Sequence, residues 1–343
     1  MIQPRSILVI NVSRIGDTLL ATPAILALAK TWPQASVDVL GHPKRIEVLQ
    51  HLPFVRRVGP ISKHSAAFRG WLDYLAKPYD LAVVYGFDQS LVAYALRVSR
   101  HVAAFRQQSE WLNRRLATVV EPPAHQSDHS VRLALALPAA LGAKTAAVRL
   151  SYTVTNAERA WAMRTLAHDL PQDAALVIGL QVASFPTKAY RDWPIESFIE
   201  LCERIQEFMP KVHFLIFGGT EEHLRTKALK RKLGKSATLY AGTLSLRQTG
   251  ALMSLLDLFI GVDTGPTHLA GTFDIPLIGL YHGFSRSELI GPLDHPCFIA
   301  IDHPLAGPNC PTAATMADIS VDTVWQAVKQ QLTISPKGPR HGQ

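Results

Sequence analysis

Short runs of apolar and β-branched residues recur along the chain, and longer segments with helical spacing separate them. Such alternation is typical of parallel sheets covered by helices, because successive parallel strands need a helical crossover. In the first half, the runs predict strands over residues 7–12, 36–40, 81–85 and 101–105. In the second half, they predict strands over residues 176–181, 212–217, 258–262 and 277–281. The pattern therefore predicts an α/β fold in both halves.

The chain's 343 residues are enough for two domains of ordinary size, each with its own core. A segment rich in Pro and Ala, residues 121–159, separates the two sets of predicted strands. We place the boundary near residue 165, which gives a first domain of residues 1–165 and a second of residues 166–343. The polar, Pro- and Gly-rich tail from about residue 335 is predicted to be frayed.

The composition predicts a folded, soluble protein of the cytoplasm. Hydrophobic residues make up 48% of the chain, and no apolar run approaches the roughly 18 residues that a membrane span needs. The first residues lead directly into a predicted strand, without the pattern of a secretory signal. Cys202, Cys297 and Cys310 are far apart, which supports neither a disulfide framework nor a clustered metal site.

Basic residues are concentrated in the first half of the chain. Residues 1–170 contain 20 Lys and Arg against 11 Asp and Glu, a net charge of +9, whereas residues 171–343 contain 15 against 16, a net charge of −1. Two interpretations stay open: an anionic partner binds this half, or the charge keeps the protein in solution. Nucleic acid is not the expected partner, because the sequence contains no nucleic-acid-binding module. The clustered cations are Arg56, Arg57, Lys63, Arg69, Arg97, Arg100, Arg106, Arg114 and Arg115.

One predicted turn between a strand and a helix has the sequence VDTGPTHLAG. The strand ends at Asp263, Thr264 is placed to cap the helix, and Pro266 suits its first turn. Gly265 lets a ligand approach the backbone, and the free N–H groups of such a turn bind phosphate well. Thr264 and His268 could add side-chain donors. The alternative is a well-capped helix without a ligand, and the turn alone favours neither.

A second turn of this kind follows the first predicted strand, in the sequence NVSRIGDTLLATP. It brings a cation, Arg14, a glycine, Gly16, and a carboxylate, Asp17, to the start of a predicted helix. From these residues alone, the favoured interpretation of Asp17 is an N-cap, which is a frequent use of Asp.

Four segments, in this order along the chain, resemble glycosyltransferase family 9, the heptosyltransferases of lipopolysaccharide core assembly: RIGDTLLATP, RDWPIESFIEL, FGGTEEH and DTGPTHLAGTFDIPLIGLYHG. The similarity also includes HSVRLALALPAALGA and ISVDTVWQAV, so it extends over nearly the whole chain. It implies the GT-B fold, in which two Rossmann-like domains with parallel sheets face a central cleft. It further implies that the C-terminal domain binds a nucleotide-activated sugar, typically ADP-heptose, and that transfer needs no metal, so we expect no cofactor.

The resemblance implies chemical roles for the residues of the NVSRIGDTLLATP turn. Asp17 matches the family's Gly-Asp carboxylate, proposed to take a proton from the acceptor hydroxyl as its oxygen attacks the anomeric carbon. Gly16 lets the turn run close to the substrates. Arg14 keeps two open roles, contact with an anionic acceptor group or exposure at the surface. The resemblance thus favours Asp17 as a general base over the N-cap interpretation.

The RDWP segment resembles the family's cation-x-Trp-Pro motif, which implies that Arg191 faces the diphosphate. A cation there would offset the negative charge that bond cleavage places on the departing nucleotide. The family more often has Lys at this position, and Lys188 lies three residues earlier, so both cations are candidates. Ser184 and Thr187 match a loop that contacts phosphate oxygens. Trp193 is expected to pack rather than to react.

The FGGTEEH segment contains carboxylates that could contact the ribose of the nucleotide-sugar donor. The resemblance implies that Glu222, or its neighbour Glu221, binds the vicinal hydroxyls of a ribose. The alternative is an acidic residue early in a helix, where the positive end of the helix dipole favours it. The other candidate donor-binding residues are Asp263, Thr264, Gly265 and His268.

We therefore predict an inverting, metal-independent glycosyltransferase that moves heptose from ADP-heptose to a lipopolysaccharide core acceptor. The acceptor is expected to be an anionic, lipid-linked saccharide that binds the basic first domain through Arg14, Arg56, Arg57 and Lys63. Peripheral contact with the inner leaflet of the cytoplasmic membrane would then depend on salt. Two alternatives stay open: a family 9 transferase with another nucleotide sugar or a non-lipopolysaccharide acceptor, and a sugar-nucleotide-binding protein without turnover.

Three other enzyme classes fit the sequence poorly. A dinucleotide-dependent oxidoreductase would have a G-x-G-x-x-G turn after its first strand, and NVSRIGDT has one glycine. Metal-dependent glycosyl transfer usually uses a D-x-D triplet, which the sequence does not contain. Serine or cysteine nucleophiles on such folds usually lie in a G-x-S-x-G elbow, which is also absent from the sequence.

Overall fold

The structure is a computed structural model. The residues that it describes are 3–69, 71, 77–124 and 128–334. The chain forms two compact units, Met1–Thr153 and Val154–Gln343, and each contains one six-stranded sheet of parallel strands. The tail that the sequence predicts to be frayed, from about residue 335, lies outside the described residues.

The first unit is built on a sheet whose first strand, β1, is buried on both sides. The strands are β1 (Ser6–Asn11), β2 (Ser36–Gly41), β3 (Arg57–Pro60), β4 (Tyr79–Tyr85), β5 (Ser99–Phe105) and β6 (Thr118–Val120). The helices are α1 (Ile15–Leu20), α2 (Thr22–Thr31), α3 (Lys63–Phe68), α4 (Gln89–Val98), α5 (Glu110–Asn113) and α6 (Ser130–Ala140). Leu8 and Ile10 of β1 pack with residues of α3, α4 and α5, and Ile7 and Val9, on the opposite side, are also fully buried.

The second unit repeats this construction. Its strands are β7 (Leu176–Gln181), β8 (Val212–Phe217), β9 (Ala237–Leu239), β10 (Leu258–Val262), β11 (Leu277–Tyr281) and β12 (Phe298–Asp302). Its helices are α7 (Asn156–Asp169), α8 (Ile195–Phe208), α9 (His223–Leu233), α10 (Leu246–Met253), α11 (Gly265–Ala270), α12 (Ser287–Ile290) and α13 (Val321–Ile334). The apolar face of α8, with Phe198, Leu201, Cys202 and Ile205, is fully buried in the core, and burial of its Phe, Leu and Ile side chains contributes about 1.5–3 kcal/mol each.

The two sheets have the same strand order, and that order determines where a ligand can bind. The first sheet runs β3-β2-β1-β4-β5-β6, and the second runs β12-β11-β10-β7-β8-β9. In each unit the chain order reverses between its first and fourth strands, β1 and β4 or β7 and β10. In such doubly wound sheets, ligands bind beside the carboxyl ends of the strands at this switch point. The prediction of two Rossmann-like α/β domains is confirmed.

Helix α7 shows to which unit the connecting segment belongs. Thr155 and Glu158 form a capping box at its start, and Glu158 accepts two hydrogen bonds, of 2.8 and 2.6 Å, from Arg247 of α10. These contacts fix α7 to the second unit, so the units divide before it, between Thr153 and Val154. The boundary that the sequence analysis places near residue 165 would fall inside this helix.

All eight predicted strands are present, and four more complete the sheets. The additional strands are β3, β6, β9 and β12, and each is an outer strand of its sheet. Within the described ranges, no helix is long and apolar enough to cross a membrane.

Candidate active site

A buried ion pair lies at the switch point of the second sheet. Asp263 directly follows β10, and its side chain is 2% exposed. Arg191 Nη1 donates a hydrogen bond of 2.6 Å to Asp263 Oδ2, and His268 Nε2 lies 3.4 Å from Oδ1. Burial alone would raise the pKa of Asp263, but the contacts with His268 and Arg191 hold that pKa below its ordinary value. Asp263 is therefore a carboxylate that fixes two side chains at the end of β10.

Tyr190 lies beside both cations that the sequence offers for the diphosphate. Arg191 Nε donates to the Tyr190 hydroxyl at 3.3 Å, and the guanidinium carbon lies 5.5 Å from the centre of the Tyr190 ring. Lys188 Nζ lies 5.6 Å from the same ring centre. The ring also packs edge-on against the buried His282, at 5.0 Å between centres. Tyr190 was not predicted from the sequence, although its place between the two cations, in KAYR, was a usable signal.

Ser184 organises the loop that leads from β7 to these cations. Its N–H donates to Asp192 Oδ1 at 2.7 Å, and its hydroxyl lies 2.7 Å from the Lys188 carbonyl and 2.6 Å from Asp192 Oδ1. Arg225 of α9 forms an ion pair with the other Asp192 oxygen. The Ser184 hydroxyl is thus bound within the loop, whereas Thr187 is exposed. Asp192, which the sequence analysis missed, is the residue that holds this loop in place.

Trp193 is a packing residue, as predicted. Its ring is almost fully buried and meets the Phe198 ring edge-on at 4.9 Å between centres. Its Nε1–H donates to the Ile319 carbonyl at 2.8 Å, so the buried polar atom is satisfied. Pro194 follows as the N-cap residue of α8.

The first turn of α11 presents backbone N–H groups at the same edge. Thr264 occupies the N-cap, but its side chain makes no capping bond to the described residues; its hydroxyl lies 3.4 Å from the Val262 carbonyl. Gly265 and Pro266 are the first two helical residues. The N–H groups of a first helical turn have no acceptor within the helix. They are therefore available to an anionic ligand.

Glu222 caps a turn in the structure. Its side chain is largely buried, and Oε2 accepts a hydrogen bond from the Gly219 N–H. Burial raises the pKa of Glu222 above its ordinary value, although the Gly219 contact opposes this shift. This geometry matches the acidic residue early in a helix that the sequence offers as the alternative. Contact of Glu222, or of the exposed Glu221, with a ribose stays a prediction.

Asp17 lies at the switch point of the first sheet. It is the third residue of α1, which follows β1, and it is exposed. The N-cap of α1 is Arg14, whose carbonyl accepts hydrogen bonds from the N–H and hydroxyl of Thr18. Among the described residues, the Asp17 carboxylate has no hydrogen-bond or ion-pair partner. Asp17 is thus not the N-cap, and its oxygens are available to a ligand.

Several cations share the carboxyl edge of the first sheet with Asp17. Arg14 is exposed at the start of α1, and Lys63 begins α3 after the end of β3. Lys63 Nζ lies 3.0 Å from Asp88, the N-cap of α4. Arg45, in the segment after β2, donates to the Ser13 carbonyl at 3.2 Å. Arg45 was not predicted from the sequence, because only the position of the segment after β2 places it at this edge.

Arg56 and Arg57 lie elsewhere in the first sheet. Arg56 donates two hydrogen bonds to the buried Asp38 of β2, at 2.8 and 2.6 Å, and Tyr79 donates a third at 2.9 Å. Arg57 begins β3 beside Asp38. Both arginines are thus at the amino end of β3, whereas Asp17 follows the carboxyl end of a parallel strand. The structure does not bring them together with Asp17.

Comparison with known families decides the class of protein. The sequence model described as glycosyltransferase family 9 (heptosyltransferase) matches residues 76–304. The chain belongs to glycosyltransferase family 9. This family 9 protein is therefore a glycosyltransferase enzyme. The matched residues include every candidate donor-binding residue of the second unit and none of the first-unit candidates, Asp17 among them.

Relatives are similar over about four-fifths of the chain, and solved structures over almost all of it. The lipopolysaccharide core heptosyltransferase OpsX of Haemophilus influenzae is 22% identical over 289 residues, which cover 81% of this chain and 79% of the relative. The family 9 glycosyltransferase of Veillonella parvula has a TM-score of 0.85 at 17% identity, covering 96% of this chain and 98% of that one. ADP-heptose LPS heptosyltransferase II of E. coli has a TM-score of 0.80 at 20% identity, covering 96% and 99%. These likenesses confirm the predicted fold class.

Among the described residues, no group of three or more His, Cys, Asp or Glu side chains is arranged to hold a metal ion.

Proposed function

We propose that this enzyme transfers heptose from ADP-heptose to a lipopolysaccharide core acceptor, with inversion at the anomeric carbon and without a metal. Family membership supports glycosyl transfer. The names of the relatives, a lipopolysaccharide core heptosyltransferase and an ADP-heptose LPS heptosyltransferase, support the donor and the acceptor.

In this proposal the donor's diphosphate binds beside Arg191 and the first turn of α11. Arg191 is held by Asp263 and Tyr190, so its charge is already in position before the reaction. Cleavage of the glycosidic bond to the phosphate leaves negative charge on ADP, and a preorganised cation stabilises that charge. Lys188, whose Nζ lies 5.6 Å from the centre of the Tyr190 ring, is a second cation for the phosphates.

Asp17 acts as the general base of the proposed reaction. The acceptor hydroxyl oxygen attacks the anomeric carbon and forms the new glycosidic bond, while the bond from that carbon to the phosphate oxygen breaks. Asp17 takes the hydroxyl proton, and the bonding electrons leave with ADP. The hydroxyl becomes acidic only as its oxygen bonds to carbon, so a carboxylate of ordinary pKa can accept the proton. A single displacement inverts the anomeric configuration.

The acceptor is proposed to bind the carboxyl edge of the first sheet. Arg14, Lys63 and Arg45 place positive charge at that edge, which suits the acidic sugars and phosphates of an inner-core saccharide. Arg56 and Arg57 are weaker acceptor candidates, because they lie at the other end of β3 and Arg56 is paired with Asp38. A lipid-linked acceptor of this kind would be met at the inner leaflet of the cytoplasmic membrane.

One observation carries the mechanism: Asp17 is an exposed carboxylate at the switch point with no partner in the described part of the chain, whereas Asp263 is buried and paired. The test incubates the purified protein with ADP-heptose and a truncated core acceptor, with EDTA present. We expect a product of inverted anomeric configuration, and no product from UDP- or GDP-sugars. Donor binding without product would favour a sugar-nucleotide-binding protein, and product from another nucleotide sugar would replace the proposed donor.

A further inference from the structure

Two buried histidines lie at the carboxyl edge of the second sheet. His282 directly follows β11 and His303 directly follows β12, and both side chains are almost completely buried. Their ring centres are 5.8 Å apart. Neither histidine has a role in the proposed reaction, and burying a polar side chain costs free energy unless hydrogen bonds replace its contacts with water. The contacts that each histidine makes therefore indicate its role.

His282 is bound at both nitrogens of its ring. The Phe284 N–H donates to Nδ1 at 3.1 Å, and Nε2 lies 3.1 Å from the Ala314 carbonyl. An N–H only donates and a carbonyl only accepts, so the hydrogen of the ring is on Nε2 and the ring is neutral. Burial also lowers the pKa of His282, which favours the same neutral form. The orientation of the ring is thus fixed by the backbone.

The fixed ring of His282 packs against Tyr190. The two rings meet edge to face, with 5.0 Å between their centres and 81° between their planes. This is a favoured geometry for aromatic pairs, and it restrains one ring relative to the other. Tyr190 in turn lies beside both candidate cations for the diphosphate: Arg191 Nε donates to its hydroxyl at 3.3 Å, and Lys188 Nζ lies 5.6 Å from its ring centre. Because His282 is completely buried, it can act on these cations only through Tyr190.

We infer that His282 is a positioning residue of the donor site. It holds the Tyr190 ring, and the ring holds the two cations where they meet the donor's diphosphate. This role rests on the proposed function, in which the diphosphate is the ligand of both cations. Asp263 also fixes Arg191, at 2.6 Å, whereas the Lys188 ammonium has no ion-pair partner among the described residues. Loss of His282 should therefore weaken donor binding more than it slows the chemical step.

His303 provides a matched control. Its Nδ1 accepts a hydrogen bond from the Leu305 N–H at 3.0 Å, and its Nε2 lies 3.0 Å from the Thr315 carbonyl, so its backbone contacts are of the same kind as those of His282. In the part of the chain that the structure describes, His303 makes no ring contact with Tyr190. The two histidines would share a purely structural role, whereas only His282 can position Tyr190.

The first experiment compares His282→Asn with His303→Asn. Asparagine removes the ring but keeps an acceptor for the N–H two residues further on. We expect KM for ADP-heptose to rise about three- to fivefold in His282→Asn, with kcat within about twofold of the wild type, because an aromatic pair is worth a factor of about 2–10. His303→Asn should lower stability in urea unfolding by a similar amount and leave this KM unchanged. An equal rise in both variants, or no rise in His282→Asn, would overturn the inference.

A double-mutant cycle tests the route through Tyr190. In a Tyr190→Leu background, where the ring is already lost, His282→Asn should raise KM for the donor no further. Additive effects would contradict the positioning role, because His282 would then act on the donor independently of the ring. His282→Phe keeps a ring against Tyr190 and loses both hydrogen bonds, so it should lower stability while keeping KM nearer to the wild type than His282→Asn does. A higher KM in His282→Phe than in His282→Asn would show that packing against Tyr190 is not the cause.

A measurement without substrate separates this role from the proposed function. In protein labelled with 3-fluorotyrosine, the Tyr190→Phe variant identifies the fluorine NMR signal of Tyr190. Without any donor present, that signal should shift or broaden in His282→Asn and stay the same in His303→Asn. An unchanged signal in His282→Asn would contradict the positioning of Tyr190 even where transfer is normal. A shifted signal in a protein that does not use ADP-heptose would support the positioning of Tyr190 and overturn the proposed donor instead.

Discussion

Two aspartates that each lie beside the switch point of a sheet have opposite environments. Asp17 follows β1, and Asp263 follows β10, so each lies at the carboxyl end of a strand that borders a switch point. Asp17 is exposed and unpaired among the described residues, whereas Asp263 is buried between Arg191 and His268. The same residue type beside a switch point thus suits different work: Asp263 positions a cation, and we propose that Asp17 receives a proton.

The largest effect is expected for Asp17→Asn. Removing a general base lowers the rate of transfer by about 10²–10⁴-fold. The free energy of unfolding should change by less than about 0.5 kcal/mol, because the side chain is exposed and makes no bond to the described residues. Initial rates with ADP-heptose and core acceptor, and urea unfolding, measure the two quantities.

The control for this variant is Glu110→Gln. Glu110 is also an exposed carboxylate in the first turn of a helix of the first unit, α5. It should retain full activity. Binding of ADP, followed by thermal shift, should be the same in Asp17→Asn and the wild type. Undiminished transfer by Asp17→Asn would remove Asp17 as the base and leave the fold assignment unaffected.

The next effect is expected for Arg191→Ala. Losing one preorganised donor to a developing anion costs about 10²–10³-fold in rate. Lys188→Ala should lower the rate of transfer less, because Asp263 holds Arg191 in position and not Lys188, which lies near the Tyr190 ring. Rates and ADP affinities of both variants decide between the cations. A larger loss in Lys188→Ala would assign the diphosphate to Lys188 and leave Arg191 with a structural role.

Asp263→Asn tests whether the buried, paired aspartate stabilises the fold more than the exposed Asp17 does. It removes the charge that compensates Arg191, and breaking a buried pair in this way destabilises a protein by about 3–5 kcal/mol. Arg191 is one-fifth exposed, so water would partly solvate its unpaired charge. We therefore expect the free energy of unfolding to fall by about 2–3 kcal/mol. Urea unfolding beside Asp17→Asn provides the measurement. Equal stability of the two variants would contradict the contrast between the two aspartates.

The central strands could be predicted from sequence, and the outer strands could not. An inner strand is covered on both faces and reads as a continuous apolar run, such as LVIGLQ in β7, where every residue is buried. The outer strand β3, RVGP, has no buried residue, and in the outer strand β12, FIAID, only Ile301 is buried. These outer strands are defined by their hydrogen bonds to the adjacent strand of the sheet and not by an apolar pattern. The sequence of an outer strand does not indicate which strand it will pair with.

The residues of the candidate site could be predicted from the sequence, but the contacts between them could not. Motif resemblance identified Arg191 and Asp263, yet their 2.6 Å contact joins residues 72 positions apart and depends on β7 lying next to β10. Arg56 shows the reverse case. Its charge suggested contact with the anionic saccharide acceptor. A run of cations in the sequence does not reveal Asp38, the carboxylate that binds Arg56 in the structure.

Acid unfolding tests a second paired carboxylate of the second unit. Burial opposes ionisation of Glu158, but hydrogen bonds from Arg247 and Thr155 lower the pKa of Glu158 to about 2. Its stabilising effect is complete above the unfolded pKa, near 4.5, and is lost as the pH falls towards 2. We expect a loss of about 2 kcal/mol between pH 7 and pH 3 that is missing in Glu158→Gln. Parallel pH profiles of the two proteins in urea unfolding would contradict this assignment.

The smallest effect is expected for Tyr190→Phe, which separates the ring of Tyr190 from its hydroxyl. The hydroxyl accepts only a 3.3 Å bond from Arg191, which Asp263 also holds, so its loss should lower the rate by less than about threefold. Tyr190→Leu removes the ring next to both cations and should cost about tenfold, mainly in KM for the donor, because cation–π contacts fix positions rather than reacting atoms. Kinetics of both variants against ADP-heptose measure the split. Equal losses in the two variants would mean that the hydroxyl, and not the ring, keeps Arg191 aligned with Asp263, and Asp263 would then not suffice to position the cation.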